Sequence, residues 1–156
     1  MNLPHALTSP PLAPPSHFDA IGGQAAVDRL VDAFYAQMDS RPDATGIRAM
    51  HEPDLGHTKA VLRRYLAEWL GGPKDYTAQR GHPRLRMRHA AFAIGVPERD
   101  AWLACMAAAM QQTGVPADLH SVLIAAFFKT ADWMRNNSHP PAQPAINPAT
   151  NPKEAS

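Results

Sequence analysis

Apolar residues recur at helical spacing through almost the whole middle of the chain. From Gln24 to about Ser40, Val27, Val31, Phe34 and Met38 fall at i, i+4, i+7 and i+11, one stripe that Leu30 and Tyr35 widen. The pattern repeats from about Thr58 to Leu70 with Leu62, Leu66, Trp69 and Leu70, until "GGP" at 71–73 stops it. Pro97, followed by Glu98 and Asp100, opens a third helix, because proline suits a first turn and acids favour the positive end of the helix dipole. Trp102, Met106, Ala109 and Met110 form its apolar face and Gly114 ends it. Pro116 and Asp118 begin a fourth, carrying Leu119, Val122, Leu123, Ala126, Phe127 and Met134. A short helix precedes them all: "SHFDAIGG" sets Ser16 and Asp19 at capping-box spacing and closes on Gly22 and Gly23. No segment alternates with period two between hairpin turns, so the fold class is all-α.

One stretch breaks the pattern. Gly71 to Arg88 carries Gly or Pro at 71–73, 81 and 83 with little periodicity, and reads as a long loop. Such a loop inside a compact domain is usually functional or disordered. It leads into "GHPRLRMRHAAF" (81–92), where Leu85, His89 and Phe92 stand at i, i+4 and i+7. On a short helix these three share a face, which turns His89 inward and leaves Arg84, Arg86 and Arg88 toward water or an anion. Spacing alone allows a core histidine satisfied by a backbone carbonyl, a surface residue or a ligand. With no second His or Cys at metal-binding spacing it does not suggest zinc. Haem iron needs only one protein ligand on one side and fits a lone histidine. The arginines then read either as a solvated face or as counter-charges to two haem propionates, with Arg88 reaching one and the Tyr76 hydroxyl the other.

Composition narrows the alternatives. At 156 residues the chain suits one domain with a real core. A formal charge of +1 gives no bulk attraction to polyanions, and no aromatic interleaving or second basic patch supports nucleic-acid binding. The single cysteine, Cys105, excludes an intramolecular disulfide, is compatible with a reducing cytoplasm and reads as a packed thiol. No apolar run approaches the roughly 20 residues of a membrane span, and no secretion signal is expected at the N-terminus. Of 16 prolines, five lie in residues 1–17 and five in 139–156. Few large apolar groups accompany them, so we expect a flexible Pro-rich tail over 1–17, a folded domain over 18–137, and a flexible Pro/Ala-rich tail over 138–156.

In order along the chain, "AIGGQ" (20–24), "LVDAFYAQM" (30–38), "WLGGPKDY" (69–76), "GHPRLRMRHAAFAI" (81–94) and "ERDAWLACM" (98–106) resemble the second group of truncated haemoglobins. These are small globins with a two-over-two helical sandwich around haem. The resemblance spans roughly residues 18–137 and is most specific from "WLGGP" through "DAWLACM". It implies haem b as cofactor and His89 as the iron ligand. The three distal polar residues of the group fall on Tyr35, His51 and Trp102, and Leu62 forms an apolar roof. Leu66, Leu85, Phe92, Ile94 and Thr58 are the further haem contacts it implies. Many globins keep a distal histidine at the position of Thr58. His57 is one residue away, so which of them faces haem depends on a one-residue gap between His51 and Leu55. Some members carry a basic propionate-binding residue where Val61 stands here, with Arg63 or Arg64 as substitutes.

The resemblance implies reversible binding of dioxygen, carbon monoxide, nitric oxide and similar ligands at a five-coordinate iron. Several donors around the ligand imply high oxygen affinity and slow release. The other activity class is a haem enzyme, turning over peroxide or nitric oxide with His51 as acid or base. No Gly-rich flavin or nicotinamide motif is present, so reduction would need a separate reductase. We expect a cytoplasmic monomer or weak homodimer, with no nucleic-acid or membrane partner.

Overall fold

The computed structural model describes residues 15–136. Both expected tails lie outside the described residues, except for residues 15–17. There Ser16 caps the first helix, α1 (His17–Ile21), its Oγ accepting from the Asp19 N–H at 3.2 Å. Gly22 ends α1 with φ 118°, a left-handed conformation that a residue without Cβ adopts at little cost.

The four long helices expected from the apolar stripes are present. They are α2 (Gly23–Ser40), α4 (Gly56–Trp69), α7 (Val96–Gln112) and α8 (Ala117–Trp133). In α2, Val27, Leu30, Val31, Phe34, Tyr35 and Met38 are all buried, so the stripe is the core face. That face packs against α4 and α7, and α7 packs in turn on α8. The pairs α2/α4 and α7/α8 form the expected two-over-two sandwich. Leu66 from α4, Cys105, Met106 and Met110 from α7, and Leu123 from α8 close the core between them. No strand occurs among the described residues, and none of their helices is long and apolar enough to cross a membrane.

Val122 departs from the expected face of α8. It is 51% exposed, because the buried stripe runs through Leu123, Phe127 and Ala131 at steps of four and leaves Val122 on the flank. The segment read as one long loop, Gly71 to Arg88, is also different. It holds two short helices, α5 (Asp75–Arg80) and α6 (Leu85–His89). Neither is long enough to show periodicity or to stand alone in water. A further short helix, α3 (Thr45–Ala49), follows a 3-10 turn at Pro42–Ala44 in a region that gave no helical signal.

The start of α1 is pinned against the end of α4. The Phe18 N–H donates to the Leu70 carbonyl at 2.9 Å, and the Phe18 ring lies over Gly72. A Cβ on Gly72 would fall 2.6 Å from that ring, which is why "GGP" carries glycine at this close approach.

Candidate functional site

A cavity of about 480 Å³ lies among the long helices, with α3, α5 and α6 around its margin. Its size is in the range of small-molecule and cofactor sites, roughly 300–1,000 Å³. All twelve residues singled out from the sequence line it. Tyr35 comes from α2, His51 from the segment after α3, and Thr58, Leu62 and Leu66 from α4. Tyr76 belongs to α5, Leu85, Arg88 and His89 to α6, Phe92 and Ile94 to the turn after it, and Trp102 to α7. Thr58 is half-buried and His57 exposed, and both reach the cavity.

His89 closes the last turn of α6. Its Nδ1 lies 2.7 Å from the carbonyl oxygen of Leu85, one turn earlier. A carbonyl only accepts, so Nδ1 carries the proton and Nε2 keeps its lone pair. Metal-binding histidines are commonly fixed through the second nitrogen in this way, which sets the tautomer and ring orientation. The core-histidine and ligand readings left open by spacing are therefore compatible: the carbonyl occupies one nitrogen and leaves the other. Phe92 is 38% exposed, because α6 ends at His89 and the i+7 position no longer lies on a helix.

His51 is held in the same manner, its Nδ1 2.7 Å from the Ile47 carbonyl oxygen. Arg48 steadies the segment around it, pairing with Asp39 on α2 while donating to the carbonyls of Glu52 and Pro53 at 3.0 and 3.1 Å. The His51 ring meets Tyr35 edge-on, with centroids 5.8 Å apart. Phe34 then joins Tyr35, at 5.0 Å, to Trp102, at 5.2 Å. Trp102 continues to Phe127 at 5.5 Å, and Phe127 stacks on Trp69 at 4.5 Å. Aromatic packing of this kind restricts ring motion and fixes where the polar tips lie. Burial raises the Tyr35 phenol above the usual tyrosine range, so it remains a proton donor.

Tyr76 is buried and meets Tyr65 edge-on at 5.6 Å. Thr77 ties α5 to α4 by donating to Glu68 at 2.7 Å, which sets the position of Tyr76. Arg88 is exposed at the cavity margin and donates from Nε to the Pro83 carbonyl at 2.8 Å. Val61 lines the cavity as expected, but the proposed substitutes for a basic residue there do not. Arg63 instead pairs with Asp32 at 2.8 Å and lies 3.8 Å from Asp28, both on α2, because its side chain leaves α4 on the face toward that helix. Arg64 is likewise absent from the lining.

Sequence reasoning missed several lining residues. Ile47 and Met50 had no signal, because the helix that holds Ile47 and ends before Met50 is too short for periodicity. Trp69 and Phe127 read as ordinary core positions, and only three-dimensional packing turns them toward the cavity. Arg80 and Arg99 add positive charge to its wall. Arg99 is engaged with Asp132 at 2.8 Å and with Asp100 at 3.0 Å.

A flat apolar group bearing a metal and two carboxylates fits these residues. The wall is mainly aliphatic and aromatic, and Arg88 and Arg80 stand where carboxylates could be met. Among the polar atoms of the lining residues, His89 Nε2, the Tyr35 hydroxyl and the Trp102 indole N–H make no hydrogen bond to the described residues. Haem would use each of them, the first as ligand and the others as donors.

Comparison with known proteins gives the family of the fold. Residues 16–136 match the bacterial-like globin family. The chain is 36% identical over 121 residues to the group 2 truncated hemoglobin YjbI of Bacillus subtilis (strain 168), covering 78% of this chain and 89% of that one. Among solved structures, it is similar to the hemoglobin of the thermophilic phototrophic bacterium Chloroflexus aurantiacus. Identity there is 44% and the TM-score 0.73, over 80% of this chain and all (100%) of the other. It is also similar to the group II 2-on-2 hemoglobin of Agrobacterium tumefaciens, at 39% identity and TM-score 0.77, over 81% and 98% of the two chains.

Proposed function

The chain belongs to the bacterial-like globin family as a group II truncated haemoglobin, and on that premise we propose that it holds haem b through His89 and binds dioxygen with high affinity and slow release. One observation carries the reading: the Leu85 carbonyl accepts from the Nδ1–H of His89 and leaves Nε2, without a partner among the described residues, at an apolar cavity. Haem, when bound, would be held by His89 and would supply an iron able to take a diatomic ligand.

The protein's own residues govern affinity. The Leu85 carbonyl orients the His89 ring and raises the basicity of Nε2. Tyr35 and Trp102 present an O–H and an N–H to the cavity, where a ligand atom bearing partial negative charge is favoured. Donors to charged groups contribute about 1.5–3 kcal/mol each, so two of them slow release substantially. Neutral His51, protonated on Nδ1, offers an acceptor at Nε2 and becomes a donor there only when its ring is charged. Leu62, Leu66, Leu85, Phe92, Ile94 and Thr58 supply the surrounding packing, while Arg88 and Tyr76 answer the two propionates. Carbon monoxide and nitric oxide would compete with dioxygen for the same pocket. A separate cytoplasmic reductase keeps the iron ferrous.

The test is the visible absorption of the purified chain in ferric, ferrous and CO-saturated states. The expected result is a five-coordinate ferrous spectrum that converts to a CO complex. A purified chain that takes up no haem overturns the reading.

A further inference from the structure

The helix that carries His89 has no hold on the core. α6 is five residues long and none of them is buried. A single turn of helix is not self-supporting in water. It also begins at strain, for Arg84 adopts φ 45° without being glycine. Its position must come from elsewhere.

Among the described residues two contacts supply it, and both come from the last of them. Asn136, just beyond α8, grips the turn that follows His89. Its Nδ2 donates to the His89 carbonyl at 3.2 Å and to the Phe92 carbonyl at 2.7 Å. Its Oδ1 accepts from the Ile94 N–H at 2.9 Å, and its own N–H donates to the Ile94 carbonyl at 3.0 Å. One side chain thus satisfies three backbone groups between His89 and Ile94. The second contact is the Arg86 guanidinium, 4.7 Å from the centroid of the Trp133 ring at the end of α8.

From these we infer that Asn136 is the positioning residue of the iron-ligand histidine, holding α6 to the end of α8 so that the His89 ring meets the metal in one orientation. The Leu85 carbonyl fixes the ring relative to α6, and Asn136 fixes α6 relative to the rest of the fold. The amide is the group that suits the task. Aspartate offers no donor to the two carbonyls, and alanine offers neither donor nor acceptor. The inference rests on His89 as the ligand proposed above.

The experiment uses the ferrous, ligand-free holoprotein and two variants, Asn136→Ala and Asn136→Asp. Resonance Raman spectroscopy reads the iron–imidazole stretching band, and transfer to an excess of an apo-globin reads haem retention. The expected result is a band that broadens and shifts in both variants, with haem transfer faster by about tenfold in the alanine variant, as expected for losing hydrogen bonds of ordinary strength. Asn136→Asp keeps an acceptor for the Ile94 N–H and serves if the alanine variant does not fold. A band unchanged in position and width in the variants overturns the inference alone. That holds even if their melting temperatures fall, since a purely structural clamp would lower stability without moving the band. A wild-type protein without an iron–imidazole band overturns the His89 assignment and this inference with it.

Discussion

His51 and His89 are held by the same local bond, each ring donating from Nδ1 to the carbonyl one turn earlier at 2.7 Å. Both therefore present an unprotonated Nε2, yet their surroundings separate them. His51 leans on the Tyr35 ring within an aromatic row that runs through Phe34 to Trp102, whereas His89 stands on a different helix outside that row. The tautomer makes neutral His51 an acceptor, so the donors we propose for a bound ligand are Tyr35 and Trp102.

Replacing either donor follows directly. Tyr35→Phe and Trp102→Phe each remove one hydrogen bond while keeping most of the ring. Oxygen release measured by stopped flow should accelerate roughly 10- to 100-fold per variant. Release from the unmodified protein as fast as from either variant would show that these donors do not hold the ligand.

Arg88 and Arg63 should behave differently. Arg88 lines the cavity with its terminal nitrogens unbonded among the described residues, whereas Arg63 is committed to Asp32. Arg88→Ala should speed haem loss about threefold, a modest effect because the group is exposed. Arg63→Ala should leave haem loss unchanged. Equal effects would mean that the carboxylates lie elsewhere.

The buried phenols predict an alkaline limit to stability. Burial pushes the Tyr65 phenol from 10.0 up to about 12, with Tyr76 and Glu68 adding to the rise, and it pushes Tyr35 in the same direction. The folded state thus keeps protons that the unfolded chain releases above its ordinary value. Stability is fully present below about 10 and falls as pH rises toward 12 and beyond. Melting temperature followed against pH should decline over that window. Tyr65→Phe should soften the decline, and an unaltered slope would count against burial as its source.

A substitution far from the cavity separates stability from ligand chemistry. Gly72→Ala would place a Cβ 2.6 Å from the Phe18 ring and 2.8 Å from the Ala67 carbonyl oxygen. Relief requires moving α1 from the end of α4, at a cost of about 1–3 kcal/mol. Thermal denaturation should show the loss, while oxygen release stays at the wild-type rate.

What the sequence disclosed follows from how each element is held. The stripe from Val27 to Met38 is long and periodic, so burial alone identifies α2 and the same holds for α4, α7 and α8. α3, α5 and α6 depend instead on distant partners: Arg48 on Asp39, Thr77 on Glu68, and the turn after His89 on Asn136. No local pattern encodes those contacts. The face shared by Leu85 and His89 was legible, whereas the end of α6 was not, so Phe92 comes out more exposed than its spacing suggested. Arg63 illustrates the same limit among charges, because which helix its side chain meets depends on packing.

The ligand itself is tested most directly by the ferrous, ligand-free absorption spectrum of His89→Gly, recorded without and then with added imidazole. The expected result is loss of the wild-type five-coordinate spectrum and its return when imidazole enters the space left by the side chain. A glycine variant that keeps the wild-type spectrum unaided would contradict it.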